Sequence, residues 1–100
     1  MDRYWPRTWR DVPVFEIGWS VLPAFQGRGI ARAAAAQAIA KARAERGYRF
    51  LNAFPSVGHE ASNAICRRLG FTLVEECDFE YPTGSVMRSN DRQLDLFSRL

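Results

Sequence analysis

Two periodicities of apolar and polar residues, one typical of strands and one typical of helices, divide the chain into elements. Alternating or continuously apolar runs typical of strands cover residues 14–22, 48–54, 71–77 and 93–97, and residues 1–12 are aromatic and basic with Pro6 among them. Helical spacing and helix propensity predict helices over residues 29–46 and 60–69. The predicted order is β–β–α–β–α–β–β in a single domain over residues 1–100, with the aromatic and basic first segment as an edge strand or arm.

Glycines mark the expected ends and irregularities of these elements. Gly47 is predicted to be the C′ residue after the first helix, and Gly70 to stop the second helix. Gly18, in the middle of an apolar strand, predicts a β-bulge or the close approach of a ligand. The residues predicted to form the packing face of the first helix are Ile30, Ala34 and Ala38.

The composition fits a small globular domain, with 100 residues of which 47% are hydrophobic and 13% aromatic. The net charge of +3 is uneven, because residues 1–50 carry nine basic against four acidic residues and residues 51–100 carry five against seven. A basic first half suits phosphate ligands. So small an excess favours solvent-exposed arginines over a nucleic-acid surface.

Cysteine usage and the absence of targeting signals favour a reducing cytoplasm. Cys66 and Cys77 are too few for a disulfide framework and lack zinc-type spacing, so both are interpreted as apolar fillers and no metal is predicted. The first ten residues contain three Arg and no apolar core segment, so no signal peptide is predicted. The alanine run 33–36 lies among Arg and Lys, and a membrane span is therefore not expected.

Residues 16–32, EIGWSVLPAFQGRGIAR, combine a strand, a Gly-containing turn and the start of a helix. The free N–H groups of the first helical turn and the positive end of the helix dipole make such a turn an anion site. Gly27 and Gly29 let a ligand approach the backbone, and Arg28 and Arg32 add positive charge. For the glycines alone, a plain strand–loop–helix connection is the alternative.

The residues around these glycines are more specific. QGRGIA, after a strand that ends in Val-Leu-Pro, resembles the acetyl-CoA loop of the GNAT superfamily of N-acetyltransferases, whose pattern falls on Gln26, Gly29 and Ala31. SNAICRRLGF, residues 62–71, resembles the pantetheine-side helix of the same family. The tail that follows and the opening strand EIGWSVLP resemble the branch that includes ribosomal-protein N-acetyltransferases.

The match to that branch has two departures and is incomplete. Ser62 matches the branch's Ser, but His59 stands where Asn is expected. Cys66 occupies the position of a Tyr that protonates the departing thiolate in many other branches, so the tyrosine mechanism is not expected here. The resemblance covers residues 2–98 but leaves the first strand, two helices and a further strand of the family domain unmatched. An N-terminally truncated family member, a fragment or the product of a late start site is therefore expected.

The resemblance implies a partial GNAT fold of the α/β (α+β) class, with a mixed, mostly antiparallel sheet and two helices. It implies acetyl-CoA as co-substrate and acetyl transfer to a primary amine, either a protein N-terminus or a small molecule. Glu16 is the implied general base, and Ser62 is implied to hydrogen-bond or protonate the CoA thiolate. The implied cofactor-binding residues are Trp19, Val21, Leu22, Gln26, Gly27, Arg28, Gly29, Ile30, Ala31 and His59.

Plain structural roles stand beside these assignments. Glu16 could be a solvent-facing strand residue, Ser62 a simple helix N-terminal residue, and His59 a helix cap. At the level of the whole chain, three functions stay open: an N-acetyltransferase, a catalytically incomplete CoA-binding or dimerisation module, and a small basic nucleic-acid binder, which the loop disfavours. An exposed N-terminal edge carrying Tyr4, Trp5 and Trp9 also predicts a homodimer.

Overall fold

A two-residue turn joins the first two strands. Arg10 and Asp11 have positive φ angles of 50° and 66°, the backbone of a type I′ turn, whose twist matches that of a β-hairpin. The strands β1 (Arg3–Trp9) and β2 (Val12–Gly18) pair antiparallel on either side of this turn. The predicted edge strand is confirmed, because β1 pairs with β2 alone among the described strands.

The computed structural model describes residues 3–18, 30–80 and 84–97. The other elements are α1 (Ile30–Glu45), β3 (Phe50–Ala53), α2 (Glu60–Arg68), β4 (Thr72–Glu80) and β5 (Val86–Asp95). The five strands form one sheet in the order β1-β2-β3-β5-β4, in which the β2–β3 pair is parallel and the other three are antiparallel. This confirms the predicted element order, the α+β class and the mixed, mostly antiparallel sheet.

Both helices contribute to the apolar cluster on one face of the sheet, called the helix face. Its buried members are Phe15, Ile17, Ala35, Ala38, Ile39, Ala42, Leu51, Ala53, Cys66, Phe71 and Leu96. The four from α1 are spaced as i, i+3, i+4 and i+7, which is one side of a helix. Of the predicted packing face, Ala38 is buried, but Ala34 is half-buried and Ala35 takes its place. Alanines around the whole helix leave no apolar stripe that would mark the packing side.

The opposite face of the sheet is called the tryptophan face. It carries Trp5, Arg7 and Trp9 of β1, Glu16 of β2, Asn52 of β3, Asp91 of β5, and Cys77 and Phe79 of β4. The ring centroid of Trp9 lies 5.8 Å from that of Phe79, although β1 and β4 are the two edge strands. In a flat sheet, the outer two of five strands lie about 19 Å apart. The sheet must therefore curl around this face.

An aromatic cluster fills the curled face. Trp9 lies 4.6 Å from Phe54 between ring centroids, and the rings of Phe54 and Phe79 stack at 4.3 Å with an interplanar angle of 16°. Cys77 is buried with them. All four residues belong to strands or directly follow β3, so the cluster holds the curled sheet together without a helix residue.

Hydrogen bonds satisfy the polar groups that the tryptophan face buries. Asp91 accepts from Nδ2 of Asn52 at 2.7 Å and from Nε1 of Trp9 at 3.1 Å. Burial raises the pKa of Asp91, and these two hydrogen bonds oppose that rise. Within the described ranges, no buried side-chain oxygen or nitrogen lacks a hydrogen-bond partner, which is what a stable polar core requires.

β5 begins earlier than the sequence predicts. The sequence predicts a strand over 93–97, but β5 covers Val86–Asp95, and the last two predicted residues form a turn. Residues 89–92, Ser-Asn-Asp-Arg, are buried in the strand although such a polar run is typical of a loop. The side-chain oxygen of Asn63 accepts from Asn90 at 2.8 Å and from Arg92 at 2.7 Å. These tertiary partners make the polar strand stable, and they are invisible to periodicity.

The ends of the two helices differ in how their glycines are used. Arg46 has the positive φ after α1, at 55°, so the predicted C′ role of Gly47 is wrong. A Cβ at position 47 would lie 3.0 Å from Cζ of Phe15, which shows that Gly47 allows a close approach instead. Gly70 has a φ of 91° after α2, and the N–H of Phe71 donates to the carbonyl of Cys66 at 2.9 Å. This Schellman-type end confirms Gly70 as the stop of the second helix.

Candidate active site

The neighbouring parallel strands β2 and β3 border a cleft at their carboxyl ends. The parallel ladder between β2 and β3 contains the pairs Phe15↔Leu51 and Glu16↔Asn52. Beyond these pairs lies a cleft of about 200 Å³. Its lining residues are Trp5, Glu16, Ile17, Gly18, Ala53, Phe54, Pro55, Ser62, Phe79 and Met87. The carboxyl ends of parallel strands are a common place for ligands in α/β sheets.

Glu16 is the acidic residue of this cleft and is held from β1. The residue is 7% exposed, which excludes the alternative of a solvent-facing strand glutamate. Its Oε1 atom accepts a hydrogen bond from Nε1 of Trp5 at 3.2 Å and another from Nε of Arg7. Both donors bind the same oxygen, so Oε2 has no partner among the described residues. Oε1 of the carboxylate is therefore held by two hydrogen bonds, and Oε2 can take part in chemistry.

Gly18 makes room for the indole of Trp5. The β1–β2 register runs unbroken to Gly18, so the predicted bulge is wrong. A Cβ at position 18 would lie 2.9 Å from Cη2 of Trp5, closer than real Cβ contacts allow. The glycine thus lets the ring lie over the strand beside the cleft, where its N–H reaches Glu16.

The start of α2 supplies a second polar group to the cleft. His59 is the N-cap, and its Nδ1 atom accepts from the backbone N–H of Ser62 at 3.3 Å. Asn63 Nδ2 donates to the carbonyls of Ser56 and His59 at 3.0 and 2.9 Å, which ties the preceding loop to the helix. Ser62 is half-buried and lines the cleft from the first turn of α2, at the positive end of the helix dipole.

The arrangement can handle both a proton and a negative charge. Glu16 supplies a carboxylate from β2, and Ser62 supplies a hydroxyl from α2 at a helix N-terminus. The remaining walls are largely apolar, which lowers the local dielectric constant and strengthens polar interactions inside the cleft. An acceptor for a proton and a donor toward an anion are the groups that acyl transfer to an amine requires.

The cysteines take no part in this chemistry. Cys66 is fully buried, and burial raises the pKa of its thiol to about 12. Burial also raises the pKa of Cys77 on the tryptophan face. Thiols in this state are inert at neutral pH, so the interpretation of both residues as apolar fillers is supported.

Two further kinds of feature are absent from the described residues. They contain no group of three His, Cys, Asp or Glu side chains placed to hold a metal ion. Neither of their helices is long and apolar enough to cross a membrane.

Comparison with known proteins identifies the family. Residues 2–72 match the family model of the acetyltransferase (GNAT) domain. The chain belongs to the GNAT acetyltransferase family. The resemblance carried by the loop QGRGIA and by the helix ending in Leu-Gly-Phe is thereby confirmed. No curated protein matches the chain.

Solved structures share the GNAT fold of this chain. YncA of Salmonella typhimurium, solved with its cofactor acetyl-CoA, is 24% identical, with a TM-score of 0.73 over 95% of this chain and 57% of its own. Ribosomal-protein-S5-alanine acetyltransferase of Vibrio fischeri is 21% identical, with a TM-score of 0.74 over 85% and 47%. Phosphinothricin acetyltransferase of Sinorhizobium meliloti, solved with acetyl-CoA, is 25% identical, with a TM-score of 0.67 over 82% and 44%. The chain spans about half the length of these structures.

The structure brings the two predicted catalytic residues together. Glu16 and Ser62 come from different elements and line the same cleft. His59 is the N-cap of α2, which is the structural role given above as the alternative to cofactor binding. Its contact with a cofactor stays a prediction. Ile30 and Ala31 form the first turn of α1. The remaining predicted cofactor-binding residues, Trp19, Val21, Leu22, Gln26, Gly27, Arg28 and Gly29, lie outside the described residues.

Sequence reasoning missed the contribution of β1. Trp5 and Arg7 both bind Glu16, whereas the sequence predicts only an edge strand or arm for this segment. The period-two spacing of Trp5, Arg7 and Trp9 was the available signal, because it places the three side chains on one face. The homodimer through the edge of β1 stays a prediction, and the aromatic residues of that edge, Tyr4, Trp5 and Trp9, are half-buried against their own chain.

Proposed function

We propose that the chain is an acetyl-CoA-dependent N-acetyltransferase that moves an acetyl group to a primary amine, either a protein N-terminus or a small molecule. The observation that carries this proposal is the meeting of Glu16 and Ser62 in one cleft of a GNAT-family chain. YncA and phosphinothricin acetyltransferase, which share the fold, were solved with acetyl-CoA.

The cleft fits the reacting ends of the two substrates. Its volume of about 200 Å³ is below the roughly 300–1,000 Å³ of a pocket that encloses a whole small molecule. It can hold a thioester end and an amine, while the rest of the cofactor lies outside it. We expect the pyrophosphate at residues 27–31, the pantetheine beside Val21 and Leu22, and backbone N–H groups near Trp19 at the thioester carbonyl.

Each polar group of the cleft then has a defined task. Acetyl-CoA supplies the acetyl group as an activated thioester. Glu16 accepts, on Oε2, the proton that the amine loses as its nitrogen bonds to the carbonyl carbon. Ser62 donates a hydrogen bond to the sulfur as the carbon–sulfur bond breaks, because it sits at the positive end of α2.

Calorimetry with acetyl-CoA and a thiol-release assay across small amines and N-terminal peptides test the proposal. We expect saturable binding, a raised melting temperature and release of one thiol per acetyl group transferred. Binding without thiol release would make the chain a CoA-binding module, the alternative function. No heat and no melting shift at millimolar acetyl-CoA would remove the cofactor from the proposal.

Gly29→Val tests the phosphate loop directly. A side chain at position 29 would occupy the expected path of the pyrophosphate, so binding of acetyl-CoA should be lost. Gly58→Ala is the matched control, because a Cβ at Gly58 meets no atom within 4 Å. Unchanged affinity for acetyl-CoA in Gly29→Val would show that Gly29 has a structural role in the loop and no role in binding the cofactor.

Compartment and assembly complete the proposal. Two free, buried cysteines suit the reducing cytoplasm. We also expect a homodimer through β1, because an edge strand carries backbone groups that another chain can pair with. Light scattering at micromolar concentration checks this expectation. A monomer would mean that the packing of Trp5 and Trp9 against their own chain is enough to protect the edge.

A further inference from the structure

We infer that Arg7 is a positioning residue for the Glu16 carboxylate, with Trp5 as its second donor; this rests on the proposed function, in which Glu16 accepts the proton of the amine. Arg7 itself lies outside the residues that line the cleft. It would act through Glu16 and touch neither substrate.

The hairpin register brings both donors to one carboxylate oxygen. Trp5 is the direct partner of Glu16 across β1 and β2, and Arg7 lies two residues further along the same face of β1. Their Nε1 and Nε atoms both donate to Oε1 of Glu16. A glutamate has three side-chain torsions, and two donors from a neighbouring strand select one combination of them. The free oxygen, Oε2, is thereby given a fixed direction.

Arg7 is itself held in place from the far edge of the sheet. Its guanidinium carbon lies 4.8 Å from the ring centroid of Phe79 on β4, within the range of a cation–π contact. Phe79 is in turn stacked on Phe54. A continuous series of contacts therefore links β4 through Arg7 to Glu16. Preorganised support of this kind is what keeps a reacting group in its productive geometry.

The Arg7–Glu16 pair differs from the surface ion pairs of this chain. The side chains of Arg7 and Glu16 are 29% and 9% exposed, whereas those of Arg49 and Asp95 are 60% and 30% exposed. Exposed pairs contribute little because water and salt screen them. Arg49→Gln is therefore a matched control, since it removes the same charge at a distant and exposed position.

The first experiment separates positioning from structure by kinetics. In Arg7→Gln, kcat should fall about tenfold, a fraction of the 10²–10⁴ that a general base contributes. KM for the amine and the affinity for acetyl-CoA should stay within twofold, and Arg7→Lys should recover part of kcat because the charge is kept. Arg49→Gln should match the native chain. An unchanged kcat in Arg7→Gln, or an equal loss in Arg49→Gln, would overturn the inference.

The second experiment needs no turnover. The indole N–H groups of Trp5 and Trp9 bind Glu16 and Asp91 at 3.2 and 3.1 Å, so their ¹⁵N–¹H resonances report on two different carboxylates. Arg7→Gln should shift or broaden the Trp5 resonance as Glu16 loses its fixed position, and should shift that of Trp9 less, because Trp9 is connected to Arg7 only through Phe79. A native chain without thiol release would defeat the proposed function, while a Trp5 resonance that does not move would defeat the role of Arg7.

Discussion

The two faces of the sheet bury their residues by different means. The helix face is an apolar cluster in which Phe15 and Leu51 pack against the alanines of α1. The tryptophan face buries Glu16, Asn52 and Asp91 and balances each with hydrogen bonds from the same face. Burial without polar groups depends on shape alone, whereas burial of polar groups depends on complete pairing.

The comparison shows why the chemistry lies on one side. A carboxylate at the end of β2 needs donors to keep it buried, and β1 provides them as Trp5 and Arg7. The helix face then supplies the rigid support behind the same strand, through Phe15 and Ile17. Substitutions on the helix face should therefore lower the free energy of unfolding. Substitutions on the tryptophan face should lower either the free energy of unfolding or the rate of turnover, depending on the residue.

The largest effect is expected from Leu51→Ala on the helix face. Leu51 is completely buried on the central strand, so its truncation should lower the free energy of unfolding by about 2–5 kcal/mol. Leu73→Ala on β4 is the control, because Leu73 is 49% exposed and should change stability by less than about 0.5 kcal/mol. Denaturant titration measures both. Equal losses at the two positions would remove the distinction between core and surface leucines.

Glu16→Gln should separate function from stability on the tryptophan face. The amide keeps an oxygen for Trp5 and Arg7 but cannot accept a proton, so turnover should fall by about 100-fold or more. Affinity for acetyl-CoA, measured by calorimetry, should stay nearly the same because no cofactor contact is removed. A parallel fall in affinity and rate would make Glu16 a structural residue and contradict its role as base.

Trp9→Phe tests the hydrogen bond to Asp91 while keeping the aromatic ring against Phe54 and Phe79. Losing a donor to a buried carboxylate should lower the free energy of unfolding by about 1.5–3 kcal/mol. Thermal or denaturant unfolding measures the loss. In an Asp91→Asn background, the same substitution should cost less, since the charge that needs the donor is gone. An equal cost in both backgrounds would assign the effect to ring size.

The smallest effect is expected in the pH dependence of stability. Burial raises the pKa of Asp91 above its ordinary value of about 3.9, so the folded chain holds this proton more tightly than the unfolded chain does. The stability from this group is fully present below about pH 3.9 and is lost as pH rises through the raised pKa. The stability of the native chain relative to Asp91→Asn should therefore decline from pH 3.5 upward, in denaturant titrations at several pH values. A relative stability that increases with pH would contradict the sign.

Periodicity predicted the parts of the fold in which apolar spacing is regular. In α2, the predicted stop at Gly70 is the observed one, and the order of elements is confirmed. The packing side of α1 was not predictable, because alanines surround that helix. The first half of β5 was missed since its polar residues are buried by partners distant in sequence, such as Asn63.

The candidate site was predictable only where a residue pattern carried it. The family resemblance pointed to Glu16 and Ser62, which the structure brings to one cleft. Nothing in local spacing tells that Arg7 reaches Glu16, because that contact depends on the type I′ turn and on the hairpin register it sets. The role of β1 therefore required the tertiary structure.

The bond between Trp9 and Asp91 has a consequence for the order of folding. The two residues are 82 positions apart in the chain, whereas the β1–β2 hairpin closes over a two-residue turn. Local contacts form early, and distant ones must first overcome the entropy of closing a long loop. During synthesis, Trp9 emerges long before its acceptor on β5. The indole N–H of Trp9 can therefore donate to Asp91 only after β5 has left the ribosome.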